Sequence, residues 1–260
     1  MGMNNIGLVL SGGGVRGLAH LGVIKALEEH GIRIRHVAGA SVGAIVGALY
    51  AAGHSWEHIF DFFKTTPMFT WQNYTYSKPG LLDTDRFQSA FAAYLPDDDF
   101  QGLERALYIS ATDICAGKNR IFREGKLIRP ILASAAFPIV LSPVQIDGTF
   151  YADGGITNNF PLEPLLGECD YIIGSYVNPL DTIQADDLNS SVAVMERAFK
   201  IGMATLSERK FSLCDLLVAP EKLDEIGTFS MNRMDEVFQI GYEAAMEAFE
   251  ASPVIPAAYA

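Results

Sequence analysis

Basic residues, cysteine and long apolar runs are all scarce in this sequence. Lys and Arg number 19 against 31 Asp and Glu, so the formal net charge is −12. This balance disfavours nucleic-acid binding, which needs a basic face, and gives no support for strong attraction to anionic lipid headgroups. Cys115, Cys169 and Cys214 form no C-x-x-C pair, which disfavours a disulfide framework and a zinc site. We therefore expect a protein of a reducing, cytoplasmic compartment that binds no nucleic acid.

No apolar stretch approaches the roughly 18 residues of a membrane-spanning helix. Residues 1–6 lack a basic region, and the apolar run over residues 6–10 is too short for a signal peptide. With 49% hydrophobic and 19% charged residues, the chain is typical of a folded protein that can hold an enzyme core. We expect a single domain over residues 1–260, with a core at about 6–220 and a C-terminal helix at about 231–250. Any membrane contact is expected to be peripheral and apolar.

Histidine is also missing from the whole chain after His58. This absence matters because the stretch Gly39-Ala40-Ser41-Val42-Gly43 has glycines two residues before and two residues after a serine, between a predicted strand and a predicted helix. Such spacing holds the serine strained and exposed at the helix N-terminus, which makes Ser41 a candidate nucleophile. The alternative is that Ser41 merely caps the helix.

The base that would activate Ser41 follows from the histidine shortage. A histidine usually does this work, and α/β-hydrolases place it late in the chain, where this sequence has none. The base is then expected to be a carboxylate. Asp153 is the best candidate, because it ends a predicted strand and Gly154 and Gly155 keep the approach to it open; the alternative is an ordinary turn residue. A carboxylate base needs a pKa raised toward neutrality, so we expect Asp153 to be partly desolvated.

A glycine loop follows the first predicted strand and opens the first helix, with the sequence Ser11-Gly12-Gly13-Gly14-Val15-Arg16-Gly17. Successive backbone N–H groups in such a loop converge on an anion. Gly12, Gly14 and Gly17 match the dinucleotide pattern G-x-G-x-x-G, but the acidic residue expected about 20 residues later is missing, and no Walker-type Gly-Lys-Ser/Thr follows. The remaining interpretation is an oxyanion hole for acyl transfer, against the alternative of a glycine turn used only for packing.

The remaining patterns predict an α/β protein. Two successive strand–loop–helix units put the glycine loop and Ser41 at the carboxyl edge of a parallel sheet, where open α/β sheets hold ligands. Later stretches predict strands at 106–114, 171–177 and 216–219, a hairpin around Asp147-Gly148, and a long helix at 190–209. The aromatic stretch 67–76 shows neither helix nor strand periodicity. It is interpreted either as a lid or acyl-binding surface or as a cluster that packs its loop onto the core.

Taken together, the motifs resemble those of the patatin-like phospholipase family, including its bacterial members and the catalytic domain of neuropathy target esterase. Residues 12–17 are similar to the family's oxyanion loop, residues 39–43 to its nucleophile elbow, and residues 153–155 to its catalytic aspartate turn. The segment from Ala133-Ser134 to Pro138 is similar to one that precedes that aspartate in the family. Order and spacing agree over residues 6–220.

This resemblance implies a three-layer α/β/α fold with a central, mostly parallel sheet. It implies a Ser41–Asp153 dyad, an oxyanion held by the N–H groups of Gly13 and Gly14, Arg16 in support of that loop, and no metal or other cofactor. The implied activity is that of a serine acyl hydrolase on fatty-acyl esters of phospholipids, lysophospholipids or related lipids. The alternatives are an acyltransferase with the same dyad, and a nucleotide- or anion-binding module that uses the glycine loop; the oligomeric state is left open.

Overall fold

The structure is a computed structural model that describes residues 5–66, 87–138, 141–228 and 230–252, so the aromatic stretch 67–76 lies outside the described residues. Within these ranges the strands are β1 (Ile6–Leu10), β2 (Ile34–Ala40), β3 (Ala106–Asp113), β4 (Lys118–Phe122), β5 (Val144–Ile146), β6 (Thr149–Asp153), β7 (Tyr171–Ser175) and β8 (Leu216–Val218). They form one eight-stranded sheet in the order β5-β6-β3-β2-β1-β7-β8, with β4 paired to β3.

The five strands from β3 to β8 along that order pair in parallel, while β4, β5 and β6 pair in antiparallel fashion. The predicted central, mostly parallel sheet is thus confirmed. Strand β1 is buried along its whole length, as expected of a strand covered on both faces in an α/β protein.

The helices cover the two faces of the sheet. Their bounds are α1 (Ala19–Glu29), α2 (Val42–Ala51), α3 (Trp56–Thr65), α4 (Gln88–Tyr94), α5 (Ile128–Ser134), α6 (Gly155–Asn158), α7 (Ser191–Glu208) and α8 (Met234–Ala251). Ser190 caps α7 by accepting the backbone N–H of Ala193 at 3.2 Å. The glycines Gly22 and Gly241 let α1 and α8 approach closely, because a Cβ at either position would overlap the backbone of the other helix. In the described ranges, no helix is both long and apolar enough to cross a membrane.

Two apolar cores lie on opposite faces of the sheet. Side chains alternate along a strand, so Leu8 and Leu10 of β1 enter the larger core, while Val9 enters a smaller core with Phe160 and Leu162. A sheet with packed side chains on both faces is the middle layer of three, which agrees with the expected α/β/α arrangement.

Register brings distant segments to one edge of the sheet. Ala40, the last residue of β2, pairs with Ser110 of β3, and Asp153 pairs with the next residue of β3, Ala111. Ser41 and Asp153 therefore lie at the same height on either side of β3. Leu10 at the end of β1 pairs with Gly39, so the loop that follows β1 begins beside the Ser41 turn.

Candidate active site

Ser41 occupies a strained turn between β2 and α2, with φ 52° and ψ −125°. Few non-glycine residues adopt positive φ, and those that do are common at functional sites. The flanking glycines are sterically required: a Cβ on Gly39 would overlap the backbone of Gly43, and a Cβ on Gly43 would overlap the carbonyl oxygen of Leu10. The Ser41 hydroxyl makes no capping bond to α2 in the described part of the chain, so it is directed elsewhere.

Asp153 is the partner of that hydroxyl. Ser41 Oγ donates to Asp153 Oδ2 at 2.7 Å, although the two residues are 112 positions apart. The other carboxylate oxygen, Oδ1, accepts the backbone N–H of Gly155 at 2.7 Å. Asp153 is only 2% exposed, and this burial raises its pKa to about 6, against the opposing effect of the hydrogen bonds from Ser41 and Gly155. The carboxylate is therefore desolvated and aimed at the serine.

The turn after Asp153 is held by the segment that precedes it in the sequence. The backbone N–H of Asp153 donates to Ala136 O at 3.0 Å, and that of Gly154 donates to Ser134 O at 3.1 Å. A Cβ on Gly154 would overlap the carbonyl oxygen of Ser110, so only glycine fits this position. These contacts explain the place of the 133–138 segment in the fold.

Ser134 also fixes the nucleophile turn itself. Its hydroxyl accepts the backbone N–H of Ser41 at 2.9 Å and donates to Ser110 O at 2.6 Å. Ser134 is completely buried, so neither bond competes with water. One side chain thereby joins α5, β3 and the Ser41 turn.

The glycine loop borders Ser41. A Cβ on Gly12 would lie 3.1 Å from Ser41 Cβ, and one on Gly17 would overlap the side chain of Val42. The N–H of Gly12 donates to Asn159 O at 3.2 Å. The N–H groups of Gly13 and Gly14 have no backbone or side-chain acceptor among the described residues. These two donors are therefore available to a ligand.

Arg16 ties the glycine loop to later parts of the chain. Its side chain is buried; Nε donates to Ile226 O at 2.6 Å and Nη1 donates to Asn178 Oδ1 at 3.0 Å. These two bonds fix the guanidinium and anchor the glycine loop. The segment around Ile226 also meets the loop through Val15, whose N–H donates to Thr228 O at 2.9 Å.

Residues 8–166 match the family described as Patatin-like phospholipase, a range that holds the glycine loop, Ser41, Ser134 and Asp153. The chain belongs to the patatin-like phospholipase family.

This patatin-like chain is similar in sequence to two curated relatives and in fold to one solved structure. An uncharacterized NTE family protein of Mycobacterium tuberculosis is 34% identical over 190 residues, which cover 72% of this chain and 53% of that protein. Lysophospholipase NTE1 of Pyricularia oryzae is 28% identical over 275 residues, or 94% of this chain and 18% of that protein. The chain thus spans about half of the mycobacterial relative and less than a fifth of the fungal one. VipD from Legionella pneumophila has a similar fold, with a TM-score of 0.60 at 15% identity over 96% of this chain and 67% of VipD.

Two histidines of this patatin-like chain are held by hydrogen bonds within the fold. His20 is completely buried, which lowers its pKa to about 4 and keeps it neutral. Its Nε2 lies 2.8 Å from Ser11 O and its Nδ1 lies 2.7 Å from Ser175 Oγ; because a carbonyl only accepts, Nε2 carries the proton. His54 lies 2.8 Å from Tyr94 O. In the described part of the chain, no histidine is bonded to Ser41 or Asp153.

Asn159 is a site residue that the motifs did not indicate. It is buried between the glycine loop and the aspartate turn: a Cβ on Gly12 would overlap its side-chain oxygen, which also lies 2.9 Å from the position of a Cβ on Gly155. Its Nδ2 has no hydrogen-bond partner among the described residues. The only sequence signal is a pair of asparagines shortly after Asp153, which is common in turns.

Metal ligands are not grouped at this site. Over the described ranges of the chain, no three His, Cys, Asp or Glu side chains lie together as ligands for a metal ion.

Proposed function

We propose that the chain is a serine acyl hydrolase that cleaves fatty-acyl ester bonds of phospholipids, lysophospholipids or related lipid esters. The hydrogen bond of 2.7 Å from Ser41 Oγ to Asp153 Oδ2 carries this proposal, because it joins a serine held in a strained turn to a desolvated carboxylate. Membership of the patatin-like phospholipase family and the name of the fungal relative, a lysophospholipase, support the substrate class.

In the proposed reaction, Asp153 takes the hydroxyl proton as Ser41 Oγ attacks the ester carbonyl carbon. With a pKa of about 6, the carboxylate is ionised at neutral pH and still basic enough to accept a proton in the transition state. The N–H of Gly155 holds Oδ1, which leaves Oδ2 directed at the serine. The alcohol leaves with the proton from Asp153, and Ser41 keeps the acyl group as an ester. Water, deprotonated by Asp153, then releases the fatty acid and restores Ser41.

The negative oxygen of each tetrahedral intermediate needs donors fixed in advance. Gly13 and Gly14 supply them in this proposal, since their N–H groups have no acceptor among the described residues and their loop borders Ser41. Gly14 has φ 61°, a conformation that side chains rarely adopt, so the loop keeps this shape only with glycine there. Arg16 acts as a positioning residue, because it anchors the loop to Asn178 and Ile226.

The test is hydrolysis of p-nitrophenyl esters of increasing chain length by wild type, Ser41→Ala, Asp153→Asn and Asp113→Asn. Asp113 is a matched control, because its carboxylate accepts the N–H groups of Cys115 and Ala116 in a turn. We expect wild-type turnover to rise with chain length, both site variants to lose about a thousandfold, and Asp113→Asn to keep full activity.

Two outcomes would contradict the proposal. Folded wild-type protein that fails to react with a fluorophosphonate has no activated serine. Activity that survives in Asp153→Asn means that another group is the base. Product analysis with an added alcohol separates hydrolysis from acyl transfer by the same pair.

A further inference from the structure

Between residues 194 and 206, or about three and a half turns, the outward side of α7 is apolar and uncharged. We define the α7 face as its exposed residues between 194 and 206: Val194, Met195, Ala198, Ile201, Gly202, Thr205 and Leu206. They recur at helical spacing and lie on one side of the helix. The four large apolar side chains of this face are 43% to 49% exposed. At its N-terminal end the α7 face continues into Leu188, which is exposed and lines a shallow groove with Val194 and Met195.

The charged residues between 194 and 206 lie off the α7 face, although Glu208 at the end of the helix is exposed. The side chain of Arg197 is only 17% exposed and donates to Asp181 Oδ1 at 2.8 Å. Lys200 is 21% exposed and pairs with Glu196 at 3.4 Å. A surface helix in water normally shows the reverse arrangement, with charges outward and apolar residues inward. A contiguous apolar surface of this kind is typical of an interaction site.

The inner side of α7 closes against the proposed catalytic turn. Met203 Sδ lies 3.0 Å from where a Cβ on Gly155 would be, and Gly155 is the residue whose N–H holds Asp153. The ring of Phe199 packs edge-on against Phe137, which belongs to the 133–138 segment that supports the aspartate turn, with centroids 5.3 Å apart. The α7 face and the aspartate turn are thus separated by one helix, about 10 Å thick.

We propose that the α7 face docks the protein on the surface of a neutral, zwitterionic phospholipid membrane. The proposal rests on the proposed function, since a substrate held in a bilayer explains why such a surface adjoins Asp153. Seven residues on one helix fall well short of the roughly 20–30 residues per side of a stable protein interface, whereas side chains enter lipid one by one. The face carries no basic residue and the chain has a net charge of −12, so anionic lipid is disfavoured.

The experiment is flotation with phosphatidylcholine vesicles of wild type, Ile201→Glu and Leu166→Glu. Leu166 is the matched control: it is 46% exposed against 45% for Ile201, and it precedes β7, at the opposite edge of the sheet from Ser41. We expect wild type and Leu166→Glu to bind equally and Ile201→Glu to bind about tenfold more weakly. Salt should not weaken binding, and phosphatidylserine in the vesicles should reduce it, because the contact is apolar and the protein is acidic.

Hydrolysis of a short-chain, water-soluble ester is measured on the same three proteins and should be equal. Wild type that hydrolyses this ester but does not float with vesicles overturns the docking proposal and leaves the proposed function intact. Wild type that floats with vesicles but cleaves no ester overturns the proposed function and leaves the docking of the α7 face on lipid intact.

Sedimentation and thermal unfolding without lipid complete the test. We expect all three proteins to have the same sedimentation coefficient and melting temperature. A change of oligomeric state in Ile201→Glu alone would show that a second copy of the chain covers the α7 face. A lower melting temperature in that variant alone would show that another part of the chain does so. Either result overturns the proposal.

Discussion

Ser134 holds the backbone N–H of Ser41 at 2.9 Å across 93 positions of sequence. The same hydroxyl donates to Ser110 O, so Ser134 braces the strained turn against the neighbouring strand. A residue held at positive φ costs about 1–3 kcal/mol, and such a conformation persists only where its surroundings fix it. Ser134 is the side chain that fixes this one.

Replacing that brace should damage both stability and rate. In Ser134→Ala, the N–H of Ser41 and the carbonyl of Ser110 lose a buried partner, which should lower the free energy of unfolding by about 1–3 kcal/mol. The displaced Ser41 should reduce kcat at least about tenfold. Urea unfolding and ester hydrolysis measure the two effects. Ser207→Ala is the control, because that buried hydroxyl bonds Met203 O within its own helix; equal kcat in Ser134→Ala and wild type would contradict the assigned role.

The pH dependence of activity should report Asp153. A base with a pKa of about 6 must be ionised to accept the Ser41 proton, so kcat/KM for a soluble ester should fall tenfold per pH unit below about pH 6. Above that value, kcat/KM should level off. A profile that stays flat from pH 8 to pH 4 would mean that the group titrating in the free enzyme is not this carboxylate.

The same carboxylate should make the folded protein less stable at neutral pH. Its pKa rises from 3.8 to about 6 on folding, so between these values the folded state binds a proton that the unfolded state has lost. Stability therefore falls as the pH rises through this window, by about 3 kcal/mol for a shift of about two units. Asp153→Asn has no carboxyl group to ionise, so it does not lose this stability. It should unfold at a higher urea concentration than wild type at pH 8.

The difference between the two proteins should shrink toward pH 4, where the wild-type carboxyl is protonated as well. Urea unfolding at pH 4, 6 and 8 measures this difference in stability. Asp113→Asn is the control, because it makes the same change from carboxyl to amide at another site. A gap that is constant across this range would refute the assignment of the raised pKa to Asp153.

Two glycines in helices should respond oppositely to alanine. A Cβ on Gly43 would overlap the backbone carbonyls of Leu10 and Ser11, so Gly43→Ala must push the end of β1 away from α2. We expect a loss of about 1–3 kcal/mol of stability and most of the ester hydrolysis. Gly202 of α7 has open space around it, so Gly202→Ala should gain about 0.5–1 kcal/mol and keep full activity. Equal behaviour of the two variants would contradict the packing described at Gly43.

The glycine loop, the Ser41 turn and the aspartate turn were predictable because each depends on local backbone geometry. Glycines at fixed offsets permit a sharp turn regardless of what else the chain does. The meeting of the glycine loop and the Ser41 turn at one sheet edge follows from parallel strands joined by helices. Asp153 reaches the same edge on β6, which runs antiparallel to β3. The sheet order was not predictable from local patterns. The chain first adds β4 and β6 to β3 and β5 to β6, and β7 then pairs with the other side of β1.

Ser134 and Asn159 show what local patterns miss. The hydroxyl of Ser134 meets a backbone N–H from 93 positions away, and a single serine near the end of a helix carries no sign of that partner. The α7 face shows a second limit. Apolar spacing predicts that 190–209 is helical, but both sides of this helix carry apolar residues, so the pattern does not tell which side meets the core.

Arg16 links the start of the chain to partners 162 and 210 residues later, at Asn178 and Ile226. Contacts of such long separation form late, because a long loop must close before they contribute any stability. During synthesis, a nascent chain that already contains Ser41 and Asp153 still lacks both anchors of its glycine loop. Synthesis past Ile226 is therefore needed before both of these anchors of the glycine loop can form.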